Sequence, residues 1–467
     1  MFERDSANQL PLENPSLTRY VLASSPAFII GFIFGLGMIL RDCSITCNVG
    51  YKFTPLAIIA VGLASIPVSS LTVRMSNRWS YQRWQITSLV AIAFTFLLFW
   101  ASSYLVLTRI PETTVPDQSG SLWTFPLGLI YLSYFIWLGA IGAAVKPNLK
   151  NNVYRLFPGR GRERALAITS AAVIMGGLLG AWLVNTLGST FQLRYDLRYE
   201  VARDSSLIFM AAFILLIIPI IILIARRTAS QLPETPAPNE NDTMTPSPAR
   251  INLRDTLRII TADPKLKRIG ALIFTTGVAE TTMIFLFYWL VNDQVPITNG
   301  RGMFFAHFYI WLNASTLFFL IFGTNRLINR FGLLIALGSL PIALLFGSVF
   351  LILQTAIAAM YTIRIIYSAL EQSLYGQGMD RLILEVGERQ APQVRQVLHG
   401  LTIRMGRGLG AVLVMILALG AGISFTHLTG VFMVVLLIWA GISLSLRHYL
   451  HKSSLLFPPT APHSALD

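Results

Sequence analysis

Charge is scarce in this sequence of 467 residues. Only 12% of them are Asp, Glu, Lys or Arg, and 54% are hydrophobic; a soluble domain carries about 25% charged residues. That shortage excludes an ordinary soluble domain and points to the lipid bilayer. Cysteine is nearly absent. Cys43 and Cys47 are the only two, which excludes a disulfide framework and a multi-cysteine metal site. Both fall near the end of the first apolar stretch, where ordinary packing is the expectation. The six histidines, His307, His399 and His427 among them, are scattered and form no H-E-x-x-H, and no Walker sequence is present. No enzymatic activity, ATP hydrolysis, metal or cofactor is therefore expected. Acidic residues are outnumbered by basic ones, 22 to 36, giving a net charge of +14. Such an excess can serve nucleic acid, but here Lys and Arg sit in short loops between apolar runs, which fits orientation in a membrane. No cleavable signal peptide is expected, since Met1 to Thr18 is polar and the run that follows is too long for a signal core.

What is there is a succession of apolar runs. About twelve spans of roughly 20 residues each can be read. The first six lie near Tyr20–Leu40, Thr54–Val73, Gln85–Thr108, Trp123–Ala144, Ala165–Leu187 and Leu207–Ala225. The second six lie near Ile269–Val291, Met303–Phe322, Leu333–Leu353, Ala356–Tyr375, Val397–Gly422 and Leu428–Leu446. Between the sets is a polar stretch with a Pro-rich centre, which reads as a flexible linker. Its end, Ile251 to Ile260, has the pattern of a short amphipathic helix lying on the membrane. The expected division is a six-helix bundle over 1–226, a linker over 227–267, and a second bundle with a short tail over 268–467. Arg74, Arg78 and Arg83, then Lys150 to Arg164, the linker, and Arg326 with Arg330 carry the basic loops, whereas loops nine–ten and eleven–twelve carry no Lys or Arg. Both termini and the linker are therefore expected in the cytoplasm. A bacterial inner membrane is the expected location and a monomer the expected state.

One helix stretch occurs twice. Met175-Gly176-Gly177-Leu178-Leu179-Gly180-Ala181 and Met405-Gly406-Arg407-Gly408-Leu409-Gly410-Ala411 both fit M-G-x-x-L-G-A, offset by about 230 residues. Gly176 with Gly180, and Gly406 with Gly410, lie four apart on one helix face and admit a second backbone at close range. A duplicated unit follows, and six plus six spans with a central linker resemble the major facilitator architecture, where a solute sits between the halves near the midplane. There the repeated stretches would be helices five and eleven, lining the contact between halves. Asn77-Arg78-Trp79-Ser80 and Asn329-Arg330-Phe331-Gly332 are degenerate versions of that superfamily's G-x-x-x-D-R-x-G-R-R loop signature.

Ionisable groups at bilayer depth are costly, and each is a functional candidate. Glu280 lies in the middle of span seven. Arg364 and Glu371 share one face of span ten, seven residues or roughly 10 Å apart. Lys146 ends span four. The repeat aligns Arg404 with Ile174 and Arg407 with Gly177, which puts both arginines well inside the membrane. Arg364, Arg404, Arg407 and Lys146 are the expected contacts to an anionic solute, since the guanidinium fork suits carboxylate and phosphate. Glu280 and Glu371 would carry a coupling proton or hold the arginines when the site is empty. Structural ion pairing and snorkelling to water are the competing roles. Phe285, Phe287, Tyr288 and Trp289 are expected to face lipid or form an interfacial belt.

The second half also resembles a known family. Leu337-Gly-Ser-Leu-Pro341, Tyr367-Ser-Ala-Leu-Glu371-Gln-Ser373-Leu374-Tyr375, Arg395 and Gly400-Leu-Thr-Ile-Arg404-Met-Gly406 are similar to the nucleotide (ATP:ADP) translocase family of bacteria and plastids. Arg162 to Gly180 is similar to that family's basic loop and Gly-rich helix five. The resemblance implies about twelve helices and exchange or import of nucleotides. The family's paired Lys and Glu substrate residues have no counterparts here in helices one to five. Lys146-Pro147-Asn148 and Glu371 are similar instead to features of proton-coupled oligopeptide transporters, without the E-x-x-E-R of their first helix. A secondary active transporter of a small anionic solute is the expected function. The alternatives are a proton-coupled carrier of peptides or organic acids, or a non-transporting membrane protein that keeps the fold.

Overall fold

Where lipid offers the backbone nothing to bond with, a long apolar run closes its own N–H and C=O groups into a helix. The computed structural model describes residues 17–78, 81–108, 124–156, 161–195, 199–229, 258, 260–296, 300–384 and 394–446, and among these there is no strand. The first six helices are α1 (Leu17–Ser44), α2 (Thr54–Arg78), α3 (Tyr81–Leu107), α4 (Thr124–Leu156), α5 (Gly161–Tyr195) and α6 (Tyr199–Ala229). The second set begins with α7 (Pro264–Gln294), α8 (Gly300–Phe318) and α9 (Thr324–Leu353). The tenth span is α10 (Ile357–Leu370), which runs through a π turn at Glu371–Tyr375 into α11 (Gly376–Leu384). The eleventh is α12 (Ile403–Val414), flanked by π turns at Gln396–Thr402 and Met415–Gly420, and the twelfth is α13 (Phe425–Ser445). Every expected span is a helix, and most continue past the apolar run, because polar residues at the bilayer surface remain good helix formers. Most of the linker, most of the segment expected to form a helix near Ile251–Ile260 and the tail from Arg447 lie outside the described residues.

Local chemistry sets several boundaries. Asp263 caps α7, accepting from the Lys265 N–H at 2.8 Å, with Pro264 at the first helical position. Ser424 caps α13. Within α9, Gly332 adopts φ 81° and ψ 168° and breaks the helix between a short approach segment and the span proper.

Packing repeats between the two sets. α1 lies along α5, as α7 lies along α12; α3 meets α6, as α9 meets α13; α2 meets α4, as α8 meets α10. Across the seam, α5 packs on α8 and α12 packs on α2. The paired glycines explain the closest of these contacts. A Cβ on Gly176 would collide with the Phe28 carbonyl oxygen, and one on Gly406 with that of Phe274. At Gly180 and Gly410 it would stand 2.6 and 2.9 Å from the Phe32 and Val278 carbonyl oxygens. The glycine faces of α5 and α12 thus serve contacts inside each half, and other faces of the same helices meet the opposite half.

Nine helices are long and apolar enough to cross a membrane among the described residues. Large apolar side chains such as Leu63, Leu216, Phe346 and Leu353 are 65–79% exposed on the outer surface, as lipid-facing residues are. The chain is an all-α membrane protein of two six-helix bundles. The aromatic run of α7 corrects the sequence expectation: Phe285, Phe287 and Tyr288 are fully buried, and Trp289 packs against the core. They pack against α8 and the turn Tyr51–Phe53 of the first half rather than facing lipid, with the Tyr51 ring tilted against those of Phe285 and Trp289 at centroid distances of 5.7 and 5.9 Å.

Candidate functional site

Two charged layers lie along the seam between the bundles. The face of the molecule where α1 begins and α6 ends is called here the linker side, and the opposite face the far side.

The layer nearer the linker side joins α7 to α12. Arg407 donates from Nε and Nη2 to the two oxygens of Glu280, both at 2.9 Å, a bidentate fork. Tyr367 and Glu371 of the tenth span lie within electrostatic range of this pair. The Arg407 side chain is 38% exposed and that of Glu280 18%. That exposure is not toward lipid. Met405 and Leu409, 58% and 51% exposed, mark the lipid face of α12, and at 100° per residue Arg407 points about 160–200° away from both. Arg404, partly buried, reaches across the seam, with Nη2 3.4 Å from the Ser69 hydroxyl of α2.

The deeper layer combines α1 with α7, α8 and α10. Asp42 is fully buried. It pairs with Arg41 at 2.6 Å and accepts from the Tyr309 hydroxyl at 2.7 Å, a bond between the two halves. Arg41 stacks over Phe135 at 4.8 Å. Arg364, 7% exposed, sits over the rings of Phe287 and Phe308 at 4.5 and 5.4 Å. Among the described residues its Nε and Nη1 have no hydrogen-bond partner, and neither does the buried Tyr288 hydroxyl. Arg41, Asp42 and Arg364 all lie within electrostatic range of Tyr288 and Tyr309.

Beyond this layer the far side is bolted. Arg301, 2% exposed, donates to the carbonyl oxygens of Val295 at 3.0 Å and Asn292 at 2.9 Å, and to that of Thr46 in the first half. Thr46 belongs to the π turn Ile45–Val49, and its hydroxyl donates back to the Asp42 carbonyl at 2.8 Å. The sulfurs of Cys43 and Cys47 stand 3.5 Å apart with no disulfide between them.

Of the residues singled out from sequence, Arg407 and Glu280 are in contact, with Glu371 close to them. Arg404 lies beside Arg407 but turns to α2. Arg364 belongs to the deeper layer. Lys146 lies in α4, and its side chain is outside the described residues. His307 is exposed, and Asn313 bonds the Tyr309 carbonyl at 2.7 Å while facing Gly177 of α5. Sequence reasoning missed Arg41, Asp42, Tyr288, Tyr309 and Arg301. A signal existed for the first two: the apolar run does not stop at Leu40 but continues to Val49, carrying the Arg-Asp pair inside it.

This arrangement of helices is the major facilitator fold. The E. coli xylose transporter XylE, in a partially occluded inward-open conformation, superposes with a TM-score of 0.59 at 12% identity, over 93% of this chain and 97% of that one. The E. coli fucose:proton symporter FucP gives 0.54 at 15% identity, over 92% and 99%. A bacterial homologue of the human lysosomal transporter Spinster, inward-facing and unoccupied, gives 0.53 at 13%, over 92% and 98%. No protein-family model matches the chain, and no curated protein does.

Proposed function

We propose that the chain is a secondary active transporter that moves a small anionic solute by alternating access between bundles 1–226 and 268–467, coupled through the linker 227–267. One observation carries the reading: ionised groups from both bundles meet along the seam, the far side is bolted by Arg301 and Tyr309, and Arg407 on the linker side is 38% exposed away from lipid. Ionised groups at such depth are retained for a solute or ion path. The basic loops favour a cytoplasmic linker side; in a bacterial inner membrane this conformation would then be inward-facing, as the named Spinster homologue is. The fold neighbours carry xylose and fucose by their names; the arginines here favour an anion. A nucleotide is the particular solute that the translocase resemblance implies. Arg404 and Arg407 would receive it from the cytoplasm, and Glu280 would release Arg407 as it arrives.

Counterflow in proteoliposomes tests this, with labelled ATP, ADP, phosphate, organic acids and dipeptides offered in turn. Saturable counterflow of an anion, reduced at least tenfold by Arg407→Ala, is expected. Counterflow of xylose or a neutral peptide alone would overturn the anionic assignment, and none with any solute would overturn transport.

A further inference from the structure

The deeper layer does not balance its charge. Among the described residues two guanidinium groups, Arg41 and Arg364, share one carboxylate, Asp42, and Asp42 is already committed to Arg41 at 2.6 Å and to Tyr309 at 2.7 Å. Arg364 is left 93% buried with two nitrogens unpaired, cushioned only by the faces of Phe287 and Phe308. Ring faces attract a cation but accept none of its N–H bonds as a carboxylate does. A charge taken this far from water without a partner is the least tolerable state for a side chain. The unpartnered, fully buried hydroxyl of Tyr288 lies in the same group, within electrostatic range of Arg364.

We infer that Arg364 and Tyr288, with Arg41 behind them, form a binding subsite for one negative charge carried by an oxyanion, either a carboxylate or a phosphate group of the solute. The stoichiometry follows from the inventory: two positive charges less one negative leave one to be met. The guanidinium nitrogens and the phenol are all donors to such a group, and its arrival satisfies every orphaned atom of the layer. The inference deepens the transport reading by separating two roles. Arg407 already has its own carboxylate and needs no solute to be satisfied, whereas Arg364 does. The anion therefore rests at Arg364, about one helical turn beyond the level of Tyr367, and the Glu280–Arg407 pair stands on its route from the linker side.

Thermal unfolding of the purified full-length protein, followed by tryptophan fluorescence at fixed ionic strength in chloride, tests this with acetate and inorganic phosphate as probes. Either probe should raise the wild-type midpoint saturably, and the one that acts at lower concentration identifies the oxyanion. Arg364→Lys keeps the charge without the planar donors and should weaken the response about tenfold. Arg364→Gln and Arg41→Gln each remove the surplus charge and should abolish it. No saturable response to either probe in wild type, or an undiminished response in both Gln variants, would overturn the subsite. Counterflow without this response would sink the subsite and leave transport standing, and the response without counterflow would do the reverse.

Discussion

Arg407 and Arg364 show how the same residue type takes opposite parts within one seam. Arg407 is held by both oxygens of Glu280 and is partly open to solvent. Arg364 is sealed among rings with no carboxylate of its own. Their difference is measurable. Glu280→Gln should cost about 1 kcal/mol of stability, a value kept low because the pair is screened by its exposure. Exchanging the two residues, Glu280→Arg with Arg407→Glu, should restore most of that loss in a double-mutant cycle read by thermal unfolding. A double variant no better than the worse single one would mean that surrounding groups, Glu371 and Tyr367 first, fix the polarity of the pair. At this scale the sequence was a partial guide. Depth marked Glu280, Arg364, Arg404 and Arg407 as unusual, because any charge in an apolar run stands out. Which charges meet was hidden, since residues 280 and 407 touch only through the packing of two helices far apart in the chain.

At the scale of the element, the twin M-G-x-x-L-G-A stretches are the most legible feature of the sequence. Their spacing placed the glycines on one face, and the backbones of α1 and α7 do come against those faces. The neighbour was not legible: a close-packing stripe says that something approaches, not what. The aromatic run Phe285–Trp289 failed for a related reason. A helix buried in lipid and protein together is apolar all round, so its sequence carries no contrast between the lipid face and the interior. Gly176→Ala and Gly406→Ala should each lower stability by roughly 1–3 kcal/mol, since the added methyl strikes backbone that cannot rotate away. Gly62→Ala and Gly441→Ala, where a Cβ meets nothing within 4 Å, should be neutral. Unfolding midpoints of the four variants check the contrast, and equal effects would mean that the helices adjust their separation freely.

For the whole molecule, the repeated contact scheme and the bolted far side describe one state of a two-bundle machine. The number of spans and their helical nature were evident from apolar length alone, because lipid leaves the backbone little choice. Which end is closed was not, because the closing contacts come from residues at span margins, Tyr51, Arg301 and Trp289, that look like ordinary interfacial side chains. Tyr51→Cys with Trp289→Cys, placed in a Cys43→Ser, Cys47→Ser background, puts one thiol on each bundle across the far side, where the native ring centroids are 5.9 Å apart. Joining them with a reducible bifunctional thiol cross-linker should stop solute counterflow and a reductant should restore it. Unchanged counterflow with the link in place would mean that the bundles do not part there during the cycle.

The bolt at Arg301 has an unusual vulnerability. Its three oxygen acceptors are main-chain carbonyls, which every amino acid supplies. Positions 46, 292 and 295 can therefore drift to other side chains without unfastening it, so long as the backbone keeps its path. The heritable fragility of this one bolt is thus concentrated in a single codon, the one for residue 301.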